Sequence, residues 1–553
     1  MDVDQDGAVL GTAFTPEDDK RWEADKEKNA ALSHVDRPRS QTAQFDEDYD
    51  LTKRPATFFG RRDYPDATVS GYSGSDVVDK SNILKDPPSK YLLNPLAPDV
   101  DVPPEALLPN PTSYVAKVVR TQRVTPESHW QDVRLLELAV AIPDAAKGPQ
   151  VLPGHTLIIY PKNFPSDVRW LIDRMDWAEI ADLPVDFALL QPSTPPTRLE
   201  LGVRPKGLHP VRNGTLRDLL IHNLDITAIP SRTFLEKISH YAGDAREKEK
   251  LMDLTKLDNT QEFYDFTSRP RRTILEVLEE FDSVKIPYHI VLDLFPIIRG
   301  REFSIASGGF MLKGGRESLH FEVLAALVEY KTVIRKPRQG LCSRYLKHLR
   351  EGTRIHVGLR TSHETPFDAE RKPLIAVATG TGIAPIRSLL YDRNEHSSPP
   401  PALLFFGCRN RDADFYFRDE WPMLNRLKVI PAFSRDPPGL SGPPDDHGNP
   451  LLLPTSKEHG GTGLLPRDAV ATGLLSYDED QGKNYVQRQI RKHGAQVCAL
   501  LARGAWVCVC GNSGSMPLEV RRALVEVAVA GNLFESASEA ERMLAKRTWM
   551  ETW

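Results

Sequence analysis

The stretch Pro373-Leu-Ile-Ala-Val-Ala-Thr-Gly-Thr-Gly-Ile-Ala-Pro385 constrains the fold more than any other part of this chain. Pro373 to Val377 reads as a strand buried on both faces, because its apolar residues run on without alternation. The glycines that follow predict a tight turn, with a helix beginning at Pro385. Bare backbone at Gly380 and Gly382 lets an anionic group come close, and a helix start offers free N–H groups and a positive dipole end. That is the physics of a pyrophosphate site. Many strand-to-helix turns carry two glycines for steric reasons alone. The reading gains weight from Arg301-Glu-Phe-Ser-Ile-Ala-Ser307 upstream, Phe433-Ser-Arg435 downstream and the closing Glu551-Thr-Trp553.

The rest of the chain frames this segment. A chain of 553 residues has material for two to four domains. Its formal charge of −5 argues against nucleic acid as a main partner. The five cysteines, Cys342, Cys408, Cys498, Cys508 and Cys510, form no CxxC pair, which suits a reducing compartment. The acidic start lacks an apolar core, so no signal or transit peptide is expected. No apolar run approaches the roughly 20 residues of a membrane span. A cytoplasmic enzyme is the default expectation.

The first 50 residues hold 14 acidic against 6 basic side chains and little apolar periodicity. Residues 1–110 therefore read as mostly disordered, ending in a proline-rich linker near Pro95–Pro104. Strand-like alternation begins near Tyr114. Apolar spacing of three and four residues from about 166 to 280 predicts helices. Strand signals return from about Tyr288 to Gly358. From Lys372 onward the order is strand, glycine turn, helix, repeated, which is the rhythm of a parallel sheet covered by helices. Residues 436–482 interrupt it with 8 Gly and 7 Pro in 47 residues, the composition of a flexible insertion.

Three further elements carry chemistry. In Arg301-Glu302-Phe303-Ser304, alternation along a strand puts Arg301 and Phe303 on one face. There a guanidinium can bind a diphosphate and a ring can stack on a flat heterocycle. An edge strand with a solvated arginine and a core phenylalanine accounts equally well for this segment alone. Gly340-Leu341-Cys342-Ser343 opens a helix and makes a second anion cradle, or a plain serine N-cap. Ser434-Arg435, with Lys483-Asn484-Tyr485-Val486-Gln487 beyond the insertion, suits a phosphomonoester on a ribose; taken alone, these read as surface charges.

In this order, "RPRRTILEVL", "REFSIAS", "VEYKT", "GLCSRYL", "GTGIAP", "FFGCRNRDADFYF", "FSR", "NYVQ" and the final "ETW" resemble the FAD- and NADPH-binding half of the diflavin reductases, within the ferredoxin–NADP reductase superfamily. Phe303, Gly340–Ser343 and the terminal Trp553 resemble most the cytosolic branch, which feeds iron–sulfur cluster assembly through anamorsin-type proteins. The resemblance implies a multidomain fold. An antiparallel β-barrel binds FAD over 111–165 and 281–365, and a helical connecting region occupies 166–280. A doubly wound α/β domain for NADPH covers 366–553.

The resemblance also implies roles. Arg271 and Arg301 contact the FAD phosphates or ribityl chain, with Glu302 beside them. Phe303 stacks on the isoalloxazine and Ser304 sits near its N5. Tyr330 and residues 324–326 flank the rest, and Gly340, Leu341, Cys342 and Ser343 hold the pyrophosphate. Thr381 takes the NADPH pyrophosphate. Ser434, Arg435, Lys483, Asn484, Tyr485, Val486 and Gln487 grip the 2′-phosphate and adenine end. Glu519 lies near the nicotinamide half, and Trp553 covers the flavin. Ser304, Cys510 and Glu551 line the hydride-transfer point, with Glu551 standing where relatives often carry Asp. For Cys510 a buried strand cysteine is the plain alternative. No metal is expected.

Residues 1–110 show no phosphate loop after an apolar strand, so FMN is not expected in this chain. A truncated product, or a protein that borrows a separate flavodoxin-type FMN carrier, both fit. A single-flavin ferredoxin-type reductase is the near alternative, against which the large helical insertion argues. A non-catalytic assembly partner of the iron–sulfur machinery is the distant one, against which intact Ser304, Cys510, Glu551 and Trp553 argue.

Overall fold

A computed structural model describes residues 101–105, 113–141, 150–187, 199–201, 203–313, 318–331, 337–361, 371–435 and 484–553. Lys483, the insertion 436–482 and, of the region 1–110 expected to be disordered, residues 1–100 and 106–110 lie outside the described residues; residues 101–105 are instead held, Asp101 by Ser166 and Arg344 and the Pro104 carbonyl by Lys162.

The first unit is an antiparallel six-stranded sheet. Its strands are β1 (Ser113–Arg123), β2 (Val133–Ala141), β3 (Thr156–Ile159), β6 (Arg301–Ser304), β7 (Ser318–Ala326) and β10 (Arg354–Arg360), in the order β6-β3-β10-β1-β2-β7. Two short strands, β4 (Val185–Asp186) and β5 (Leu199–Glu200), pair elsewhere, as do β8 (Glu329–Lys331) and β9 (Pro337–Gln339). An antiparallel bridge between Ile305 and Val323 joins the two edges of the large sheet, so the barrel nearly closes. Alternation along β1 and β2 sends Ala116, Val118, Leu136 and Leu138 inward to one core.

Between β3 and β6 the chain leaves the barrel and builds a helical unit around its own core, from Val168 to Phe295. Its helices start where short polar side chains cap free N–H groups. Thr215 and Asp218 form a reciprocal capping box before Leu216–His222, and Thr273 and Glu276 do the same before Ile274–Glu280. Helix continues past residue 280: Tyr288–Ile290 is a 3₁₀ turn and Val291–Leu294 an α-turn, so the strand expected from Tyr288 begins only at Arg301.

The second unit is a parallel sheet of β11 (Leu374–Thr379), β12 (Ala402–Cys408), β13 (Leu427–Phe433), β14 (Trp506–Gly511) and β15 (Thr548–Thr552), ordered β13-β12-β11-β14-β15. Helices cover both faces, and the apolar run of β11 is buried throughout. The order reverses between β11 and β14. Ligands of open parallel sheets bind outside the strand C-termini at such a switch point. The sheet face toward the barrel shares one core with it: Val133, Leu135, Ala306 and Leu324 of the barrel pack with Ile383, Leu389 and Trp549.

Candidate functional site

The C-terminal ends of β11, β14 and β15 bring the conspicuous residues together. After Thr379 the chain makes one 3₁₀ turn, Gly380–Gly382, and enters the helix Ile383–Asn394. That helix begins two residues before the expected Pro385, which sits in its first turn, where a missing N–H costs nothing. The two glycines do different work. Gly380 has φ +54° and open space where a side chain would point, so it can face a ligand. A Cβ on Gly382 would lie 2.4 Å from the Cys510 carbonyl oxygen, so Gly382 serves close packing of the turn on β14. Thr381, between them, is half-buried.

Register places Cys510 of β14 opposite Glu551 of β15. Across the domain boundary, the Ser304 hydroxyl at the end of β6 donates to Oε1 of Glu551. A serine of the barrel, a carboxyl of the parallel sheet and a buried thiol thus converge at the switch point. Burial pushes the Glu551 carboxyl up to about 7, although the Ser304 hydroxyl pulls the other way. Burial, with the nearby Glu551 charge, also holds Cys510 well above the usual thiol range, so it stays a neutral thiol. The second oxygen of Glu551 and the hydroxyl of Thr379 are buried with no hydrogen-bond partner. Buried polar atoms without partners are rare and await a ligand or water. They fit a site that the nicotinamide end of a dinucleotide completes.

Trp553 is tied to this cluster by its backbone. Its N–H donates to the Gly511 carbonyl at 3.1 Å, and its own carbonyl accepts from the Ser513 N–H at 3.2 Å. Glu519 lies in the first turn of the helix Met516–Ala530, just beyond β14.

On the barrel side, β6 orients its residues by alternation. Glu302 is exposed, ion-paired with Arg360, on the face opposite Arg301 and Phe303. Glu302 shares that face with Ser304. Phe303 packs against the barrel core while remaining half-buried. Arg301 lies close enough to the thiol of Cys342 to oppose the burial that pushes it up to about 12. So Arg301 neighbours the start of the helix Leu341–His348. Gly340 is the N-cap of that helix, and Ser343 is not a cap. The Ser343 hydroxyl instead accepts from the Val328 N–H at 2.7 Å, leaving the first-turn N–H groups for an anion. Tyr330 lies in β8, opposite Arg338 of β9. Arg338, which no motif marks, pairs with Glu276 and donates to the Pro270 carbonyl. It thereby holds the turn at Arg271, whose backbone has φ +53°. Arg301 and the start of the 341–348 helix, with its free N–H groups, suit a diphosphate.

Ser434 and Arg435 follow β13, beside the end of β12. The Ser434 N–H and hydroxyl both bond the Cys408 carbonyl, and exposed Arg435 is fixed through its N–H to the Arg409 carbonyl. The helix Val486–Lys492 packs against β12 and β13. Tyr485 is exposed and Gln487 half-buried at its start. Two residues implied for the same grip also make internal contacts. Asn484 is buried and accepts from Gln489 at 2.8 Å, and Val486 belongs to the core beneath the sheet.

Nothing in the sequence marks Thr379 at the end of β11, or Arg387, a buried arginine of the helix Ile383–Asn394. The hydroxyl of Thr379 stands in the glycine motif itself, and only the absence of a partner marks it. Arg387 lies in a helix buried on nearly every side, where an apolar side chain is expected.

Among the described residues no His, Cys, Asp and Glu group could hold a metal ion, and no helix is long and apolar enough to cross a membrane. Residues 109–345 match the model of the FAD binding domain, and residues 376–443 that of the oxidoreductase NAD-binding domain. Proteins called NADPH-dependent diflavin oxidoreductase 1 are similar along most of the chain. The one from Gibberella zeae is 38% identical over 461 residues, covering 82% of this chain and 67% of its own. That from Aspergillus fumigatus is 38% identical, covering 79% and 62%, and that from Saccharomyces cerevisiae 32% identical, covering 79% and 64%. The chain thus spans about two thirds of the length of the curated relatives it matches.

Proposed function

Since the chain belongs to the family of NADPH-dependent diflavin oxidoreductases, we propose that its barrel and its parallel-sheet domain together move electrons from NADPH to FAD at the Ser304–Cys510–Glu551 cluster. The observation that carries this reading is the hydrogen bond from Ser304 to Glu551, which joins the FAD-side strand to the NADPH-side sheet at the switch point. NADPH supplies a hydride and bound FAD accepts its two electrons. The chain's own residues set the geometry. Phe303 and the 341–348 helix start hold the flavin, and Gly380 with the first turn of the 383–394 helix holds the dinucleotide phosphates. Glu551, when ionised, puts negative charge where positive charge develops as hydride leaves, and Ser304 fixes its orientation. Neutral Cys510 fills the floor of the cluster without adding charge.

Arg435, with Lys483, grips the 2′-phosphate and selects NADPH over NADH. Trp553 covers the flavin face that the nicotinamide must reach. Onward transfer runs through an FMN-bearing carrier to an iron–sulfur assembly protein of the anamorsin type in the cytoplasm, a reading supported by the likeness of Phe303 and Gly340–Ser343 to the cytosolic branch. The test is anaerobic titration of the purified protein with NADPH, with the released flavin identified. Stoichiometric bleaching of an FAD band supports the proposal. A protein that binds no flavin, or whose flavin NADPH leaves oxidised, refutes it.

A further inference from the structure

Arg387 is fully buried in the helix Ile383–Asn394, yet its guanidinium reaches two domains. Nε and Nη2 fork onto Glu420 of its own domain at 2.7 and 2.9 Å. Nη1 donates to the Glu322 carboxylate of β7 and, at 3.0 Å, to the Ala306 carbonyl of the barrel. Ala306 lies two residues beyond Ser304. One residue along the helix, the Ser388 hydroxyl donates to the Ser307 carbonyl at 2.9 Å. The backbones meet at the same seam: a Cβ on Gly308 would lie 2.0 Å from the Ser388 carbonyl oxygen. Phe417 and Tyr391 cover the guanidinium, with ring centroids at 4.3 and 5.1 Å.

From this arrangement we infer that Arg387 is a positioning residue for hydride transfer, clamping the helix that follows the glycine turn to the strand end that carries Ser304. The inference rests on the functional reading above. The same helix presents its first turn to the dinucleotide, so its distance from β6 sets the approach of nicotinamide to flavin. A buried charge held by four directional bonds fixes that distance more sharply than apolar contact alone. Lysine keeps the charge but has no planar fork, so it does not replace arginine here.

The test is single-turnover flavin reduction by NADPH in the FAD-loaded protein, with 2′,5′-ADP binding and FAD content measured in parallel. Arg387→Lys and Gly308→Ala should each slow reduction by about tenfold or more, the scale on which ångström-level misplacement acts. Both should weaken the long-wavelength absorbance of the flavin–nicotinamide contact. Binding of 2′,5′-ADP, which reports the 2′-phosphate grip alone, and FAD content should stay at wild-type levels. Gly308 has φ −145°, so alanine there strains nothing but the seam. Variants that melt earlier yet reduce flavin at the wild-type rate overturn the inference. If neither variant folds, Glu322→Gln decides: slower reduction with unchanged 2′,5′-ADP binding supports it, and a wild-type rate overturns it. A wild-type protein that NADPH does not reduce overturns the functional reading itself, and this inference with it.

Discussion

Glu551 is a carboxyl that burial holds near the middle of the physiological pH range, at about 7. On the proposed reading, its proton state sets the local field during hydride transfer. The rate of flavin reduction should rise with pH through about 7, as Glu551 ionises. Glu551→Gln should flatten that profile and lower the upper plateau roughly 10- to 100-fold, the low end of what a positioned polar group contributes. The sign for stability is opposite. A carboxyl whose folded value is raised favours the fold below its unfolded value, and that contribution is lost as pH rises through about 7. A pH-independent rate in the parent protein would remove Glu551 from the chemistry. Arg435 gives a second residue-level test. Arg435→Ala should weaken NADPH about tenfold or more, as loss of a charge-assisted bond does, and leave NADH nearly unchanged. Equal losses for both nucleotides would make Arg435 structural. Trp553 gives a third: Trp553→Ala should raise NADH use relative to NADPH and perturb the visible flavin spectrum, and the two staying unchanged would place the ring away from the flavin. At this scale the sequence was legible in local backbone: Arg301–Ser304 is the strand its alternation implies. Other motif residues also make contacts the motif does not announce: Glu302 pairs with Arg360, Asn484 bonds Gln489, and Val486 enters the core.

The glycine turn shows what an element adds to its residues. Gly380→Ala meets open space but must hold φ +54°, which costs a residue with a Cβ about 1–2 kcal/mol. Gly382→Ala has no such φ, but its Cβ would press on the backbone of Cys510 and Gly511 at 2.4 and 2.6 Å. The backbone of a central strand cannot yield, so this variant should lose about 1–3 kcal/mol or more and disturb the hydride point with it. Thermal melting with bound FAD, alongside the flavin spectrum, distinguishes the two. Equal, small losses would mean that the turn floats free of β14. The strand–turn–helix order was readable because β11 is uniformly apolar and glycine breaks it. The helix start was not, since a proline is tolerated anywhere in a first turn. The helical stretch at Tyr288–Leu294 escaped because its apolar residues are too few to reveal a period.

The whole molecule works as two folds facing one seam, and that seam was invisible in the sequence. Ser304 and Glu551 are 247 residues apart; β3 fixes β6 in the barrel, β14 fixes β15 in the parallel sheet, and the core the two units share brings them together. The buried arginine of the seam has no sequence signature either. The barrel and the parallel sheet were each legible, because alternation and strand–helix rhythm are local properties. Their mutual placement depends on shared core residues such as Ala306 and Ile383, which any hydrophobic residue of similar size would have announced equally. The central claim is that hydride passes from NADPH to FAD at that seam, under the control of Ser304 and Glu551. Its most direct test is single-turnover flavin reduction with NADPH and with NADPH deuterated at the transferred position, in the parent protein and in Ser304→Ala. The account predicts slower reduction with deuterium, a slower step in Ser304→Ala and an isotope effect that persists or grows there. Reduction insensitive to deuterium in both proteins, or a Ser304→Ala protein as fast as the parent, would contradict it.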